Sequence, residues 1–161
     1  MKSPSLLFFC FACLLLPLAH ASTSPIAHLL ERSEAPPGVV FEIVSGDDDA
    51  LHWAIPAVQD YIRQLRARFP GLSMAVVTHG REQFGLEKNH QQDNAKVHKA
   101  TRSLVQDQDV PVHVCGTHAS WRGVSEEDFP DYVDVVPQGP TQIQLYEELG
   151  YELVVLSDPT D

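Results

Sequence analysis

Five short apolar runs, rich in β-branched residues, constrain this chain more than any other feature. They are VVFEIVS at 39–45, LSMAVVTH at 72–79, VPVHVC at 110–115, VDVV at 133–136 and YELVVL at 151–156. The first reads as a buried strand and the other four as further strands. The stretches between them have a helical period. Leu51, Ile55, Val58, Ile62, Leu65 and Phe69 recur at alternating steps of four and three, which marks one apolar helix face. Pro56 falls within it, so the helix either starts there or kinks. Pro70-Gly71 ends it. Residues 89–106 are polar but place Val97, Ala100, Leu104 and Val105 at helical spacing. A short helix follows at about 118–122, with Thr117 as its cap and Gly123 as its stop. Ser125-Glu126-Glu127-Asp128 resembles a capping box for one further turn. The last helix opens at Pro140, shows Ile143, Tyr146 and Leu149, and ends at Gly150.

Strands alternating with helices predict an α/β fold with a mainly parallel, five-stranded sheet covered on both faces. Such sheets bind ligands at the carboxyl ends of their strands. Two strand ends stand out, Thr78-His79-Gly80 and Cys115-Gly116-Thr117-His118.

Residues 1–21 carry a different pattern. Lys2 precedes an apolar run at 6–16, Pro17 breaks it, and Ala19-His20-Ala21 suits a small-x-small cleavage site. The run is shorter than the roughly 20 residues that a spanning helix needs. It predicts a cleavable signal peptide, export to the periplasm and no stable membrane anchor after cleavage. Cleavage would leave 140 residues, move the formal charge from −11 to −12, and remove Cys10 and Cys13. Cys115 would then be the single cysteine, with no intramolecular disulfide open to it. Residues 22–37, with three prolines, read as a flexible N-terminal arm before a domain at 38–161.

The acidic charge opposes nucleic-acid binding, because phosphate contacts need clustered cations. The dinucleotide-binding, phosphate-loop, zinc-protease and serine-hydrolase motifs are absent from the sequence, and no cofactor is implied.

Cys115 is the candidate catalytic residue. It passes from a strand into a helix, where the opening amides favour a thiolate. His118 lies one helical turn beyond it, His79 ends what reads as a neighbouring strand, and Arg122 and Trp121 follow closely. His79, His118, Arg122 and Trp121 are therefore the candidate binding residues. His113 shares a strand face with Cys115. A second pattern, His113-x-Cys115-x-x-His118 with His79 as fourth ligand, suits zinc or copper. A third reading makes the chain a non-enzymatic oligomeric binding module in which Cys115 only packs.

Residues 110–156 run in the order strand with Cys, short helix with Arg-Gly, Val-Val-Pro-x-Gly strand end, and helix ending in Gly-Tyr. AVVTHG at 75–80 matches a Val-x-His-Gly strand end. This ordered set, over about 38–157, resembles the DsrE/DsrF-like family of small sulfur-relay and related proteins. The resemblance implies a three-layer α/β/α domain, a homotrimer or larger ring such as a hexamer, and a persulfide carried at Cys115. It also implies a sulfur donor or acceptor protein as partner. Trp121, Phe129 and Tyr132 lie in a short-helix and loop region that a small monomer covers poorly, so this segment is the candidate interface.

Overall fold

A computed structural model describes residues 24–158. The expected signal peptide at 1–21 lies outside the described residues. Five strands form one sheet: β1 (Gly38–Ile43), β2 (Met74–Thr78), β3 (Val112–Cys115), β4 (Asp134–Val136) and β5 (Tyr151–Leu156). Their spatial order is β4-β3-β2-β1-β5, and every pairing is parallel. The chain steps outward from β1 to β4 and then returns to the far side of β1. The expected mainly parallel sheet is thus wholly parallel.

Five helices cover it: α1 (Ala27–Leu30), α2 (Leu51–Arg68), α3 (Ala95–Gln108), α4 (Gly116–Trp121) and α5 (Gly139–Glu148). Alternate side chains of each strand face opposite ways, so the sheet builds two cores. Val39, Phe41, Ile43, Val76, Val112 and Val114 pack with α1, α2, α3 and Ala119 of α4. Val40, Ala75 and Val77 pack beneath Ile143 and Tyr146 of α5, which covers the opposite face. The described α-helices thus flank the sheet on both sides, giving three layers. Among the described residues, no helix is long and apolar enough to cross a membrane.

Helix α2 begins at Leu51 and runs through Pro56. Proline removes one intrahelical hydrogen bond, but Pro56 sits on the exposed side of the helix. Burial of Leu51, Ala54, Ile55, Val58, Ile62 and Leu65 on the other side outweighs that loss.

The N-terminal arm departs from expectation. Ile26 and Leu29 are fully buried and belong to the larger core. Arg68, at the end of α2, donates to the carbonyls of Leu30 and Arg32 at 3.3 and 2.5 Å. Arg32 pairs with Glu152 of the edge strand at 2.6 Å. The arm is docked because its two apolar residues, three apart, form one face of the short helix α1. The prolines limit helix formation but do not prevent packing. Truncating Leu29 to Ala should lower the free energy of unfolding by about 2–3 kcal/mol, a buried-leucine cost. Urea denaturation of wild type and Leu29→Ala measures this, and an unchanged midpoint would restore the flexible arm.

Candidate functional site

The carboxyl ends of β1, β2 and β3 meet in a cleft of about 540 Å³. Val44 and Ser45 continue β1, His79, Gly80 and Arg81 follow β2, and Cys115 ends β3. Thr117, His118 and Trp121 of α4 form one wall, and Gln138 and Pro140 at the start of α5 form another. This is the expected place for a ligand in a parallel sheet.

Two buried side chains on the 3₁₀ segment Arg81–Leu86 hold the cleft floor. The Glu82 carboxylate accepts the Thr78 hydroxyl at 2.5 Å, the Gly80 N–H at 2.9 Å and the Ser45 N–H at 2.8 Å. One carboxylate therefore ties the end of β1 to the end of β2. The Gln83 amide accepts the Cys115 N–H at 2.8 Å and donates to the Cys115 carbonyl at 3.3 Å. It satisfies both backbone groups of the residue that carries the thiol. Gly80 is required at the crossing, because a Cβ there would lie 2.2 Å from Glu82 Oε2 and 2.5 Å from the Ser45 backbone.

Cys115 has 5% of its surface exposed, and its Sγ caps α4 by accepting the His118 N–H at 3.5 Å. The cap is thus Cys115, where Thr117 was expected. Thr117 instead donates its hydroxyl and its N–H to the Pro137 carbonyl, at 2.8 and 3.0 Å.

His118 Nδ1–H donates to the His79 carbonyl at 2.9 Å, while its ring packs edge-on against Phe84 and beside Trp121. His79 Nε2–H donates to Glu42 Oε1 at 2.7 Å. Trp121 is 77% exposed at the cleft rim. Four predicted residues, Cys115, His79, His118 and Trp121, therefore meet in one cleft.

Arg122 does not join them. Its guanidinium lies 4.3 Å over the Phe84 ring and 3.8 Å from Asp48, in a separate depression lined by Asp48, Glu87, His90 and Asp93. The cause is helical geometry: one residue past Trp121, the chain has turned about 100° away from the cleft.

The metal pattern also fails to assemble. His113 does share the sheet face of Cys115, but its Nε2 is bonded to the Tyr146 hydroxyl at 2.8 Å. Burial holds the His113 pKa below its ordinary value, despite Asp134 nearby. Among the described residues, no group of three or more His, Cys, Asp or Glu side chains converges to hold an ion.

The proposed interface segment is mostly internal. Phe129 and Tyr132 are buried in the larger core. The Tyr132 hydroxyl donates to His98 Nδ1 at 2.6 Å, and His98 Nε2–H donates to the Gly85 carbonyl at 3.1 Å. The monomer covers Phe129 within its apolar core and Tyr132 by satisfying its phenol with this buried bond, which leaves only Trp121 of the three outside.

Sequence reasoning did not single out Glu42, Glu82 or Gln83. Glu42 had a signal, a carboxylate inside a β-branched run. Glu82 and Gln83 sit in a polar connection whose burial only the fold reveals. Replacing Gln83 with Leu should cost about 1–3 kcal/mol, because it strands the buried Cys115 N–H. Chemical denaturation reads that loss, and a cost under about 0.5 kcal/mol, the surface-substitution range, would refute the clamp.

No protein-family model and no curated protein sequence matches the chain. Solved structures do. MTH1491 of Methanobacterium thermoautotrophicum, a protein of unknown function, matches with a TM-score of 0.56 and 21% identity, over 73% of this chain and 97% of its own. BT1422 of Bacteroides thetaiotaomicron, a conserved protein of unknown function, matches with a TM-score of 0.53 and 10% identity, over 74% of this chain and 95% of its own. At these identities the likeness is one of fold: this chain has the α/β architecture of two proteins whose function is unknown.

Proposed function

We propose that this protein is an exported, periplasmic DsrE/DsrF-like sulfur carrier that holds sulfane sulfur as a persulfide on Cys115. The observation that carries this reading is the place of the thiol, on the floor of an open cleft with an N–H on its sulfur. Val44, Pro140 and Trp121 give the cleft apolar surfaces suited to a soft, polarisable sulfur atom. The fold and the ordered strand-end motifs support the same reading.

In the proposed transfer, the Cys115 thiolate attacks the outer sulfur of a hydropersulfide, R–S–SH. A new S–S bond forms at Cys115, the donor S–S bond breaks, and its electron pair leaves on R–S⁻. An acceptor thiolate later removes the outer sulfur by the same exchange. Treating the protein with inorganic polysulfide should add one sulfur, about 32 Da by atomic mass, at the Cys115 peptide. The adduct should be absent at that peptide in Cys115→Ser. Mass spectrometry reads both, and a wild-type Cys115 peptide without added sulfur would sink the proposal.

The low exposure of Cys115 favours one other reading, a binding module whose thiol only packs. That reading expects Cys115 to resist alkylation until the protein is denatured.

Self-association belongs to the proposal, as a trimer or hexamer. Trp121 and Val44, 77% and 48% exposed, form an apolar rim at the cleft mouth. Aromatic residues of this kind are enriched at interfaces. Screening at physiological salt confines repulsion between the acidic chains to roughly 8 Å. Light scattering should give a mass of three or six chains, and Trp121→Ala should shift it toward one. A single-chain mass for the wild type at micromolar concentration would refute self-association.

A further inference from the structure

The sheet face beneath α5 carries Val40, Ala75 and Val77, which pack against Ile143 of that helix. Glu42 and His79 interrupt this apolar surface as a bonded pair, with side chains 18% and 14% exposed. Apolar residues of similar size often serve folding as well as a largely buried ion pair, or better. The pair therefore calls for a use beyond packing, and its geometry points to one.

The bond to Glu42 places a hydrogen on His79 Nε2, so a neutral ring has its lone pair on Nδ1. Nδ1 is neither sealed from solvent nor hydrogen-bonded among the described residues. The opposite edge of the ring faces α5: a Cβ at Gly139 would lie 2.5 Å from His79 Cβ and 3.4 Å from Cδ2. Gly139 thus lets the helix start close against His79. Thr78 pairs with Val114 in register, so His79 and Cys115 stand at the next step of adjacent parallel strands, about 5 Å apart at the backbone. Both line the cleft.

We infer that His79 is the proton-transfer group of the cleft and that Glu42 is its positioning residue. The inference rests on the reading of Cys115 as a nucleophile. His79 Nδ1 takes the Cys115 thiol proton, which leaves a thiolate beside an imidazolium. The thiolate bonds the outer sulfur of a hydropersulfide, and the donor S–S bond breaks. The departing R–S⁻ then takes the proton from Nδ1. Charge and atoms balance, and the transfer needs no external oxidant or reductant.

The groups facing His79 set the terms of a pH test. Glu42 bonds it from β1, Cys115 lines the same cleft at the end of the neighbouring strand β3, and His118 of α4 bonds its carbonyl. Glu82 holds the adjacent Gly80 N–H. Arg81 lines the cleft but is paired with Asp48, at 3.1 and 2.5 Å. At the start of α5, Gln138 and Pro140 are uncharged.

The test is the rate of Cys115 alkylation by iodoacetamide between pH 5 and 9, on the full chain. Peptide mass spectrometry separates Cys115 from Cys10 and Cys13. His79→Gln should slow alkylation at pH 6.5 by roughly tenfold and change the shape of the rate–pH profile. Glu42→Gln should give a smaller change in the same direction. Thermal midpoints show that each variant is folded, and if His79→Gln does not fold, Glu42→Gln carries the test. A profile unchanged from wild type in a folded variant overturns the inference. The readout needs no sulfur donor. An altered profile without a polysulfide adduct would overturn the sulfur reading alone, and an adduct with unchanged profiles would overturn the role of His79 alone.

Discussion

A buried Glu-Gln pair holds the carboxyl end of this sheet together. Parallel strands leave their last backbone groups without partners where the chain turns away, and burial makes each such group costly. Glu82 and Gln83 meet that demand at three strand ends. One carboxylate receives two N–H groups and a hydroxyl from the ends of β1 and β2, and one amide pairs with both backbone groups of Cys115. Two adjacent residues of a single turn thereby set the relative positions of Ser45, Gly80 and Cys115. The cleft follows from that arrangement.

The walls are built on the same segment. Phe84, the next residue, supports the His118 ring on one side and the Arg122 guanidinium on the other. Its ring lines the polar depression around Asp48, whereas the apolar cleft around Cys115 is walled by His118 and Trp121. His118 completes the link between elements, with its ring N–H on the His79 carbonyl and its backbone N–H on the Cys115 sulfur. The two histidines differ in their anchors. His118 is fixed by backbone, whereas His79 is fixed by a carboxylate, and that distinction leaves different ring nitrogens facing the solvent.

Much of the fold was legible in the residues. The β-branched runs mark strands, and all five appear within a few residues of expectation, the three central ones largely buried and the edge strands β4 and β5 partly exposed. The C-terminal helix between Pro140 and Gly150 was equally readable, since proline and glycine act locally. The arm was misread because three prolines suggested looseness, while Ile26 and Leu29 needed only one turn of helix to bury themselves. Pro56 does not start the helix, because its effect depends on which side of the helix meets water.

The sequence by itself determined the α/β class, the strand-end location of the cysteine and its nearness to His118, because these depend on short-range periodicity and helical spacing. Only the tertiary structure decided which of the flagged residues share a cleft. Strand order and register bring His79 beside Cys115 and Glu42 beneath His79, through contacts 36 and 37 positions apart in the chain. The same packing turns Arg122 outward, gives His113 to Tyr146, and encloses Phe129 and Tyr132. Local sequence carries no record of such choices: they are settled by which strand lies next to which, and by the buried polar groups that must find partners once it does.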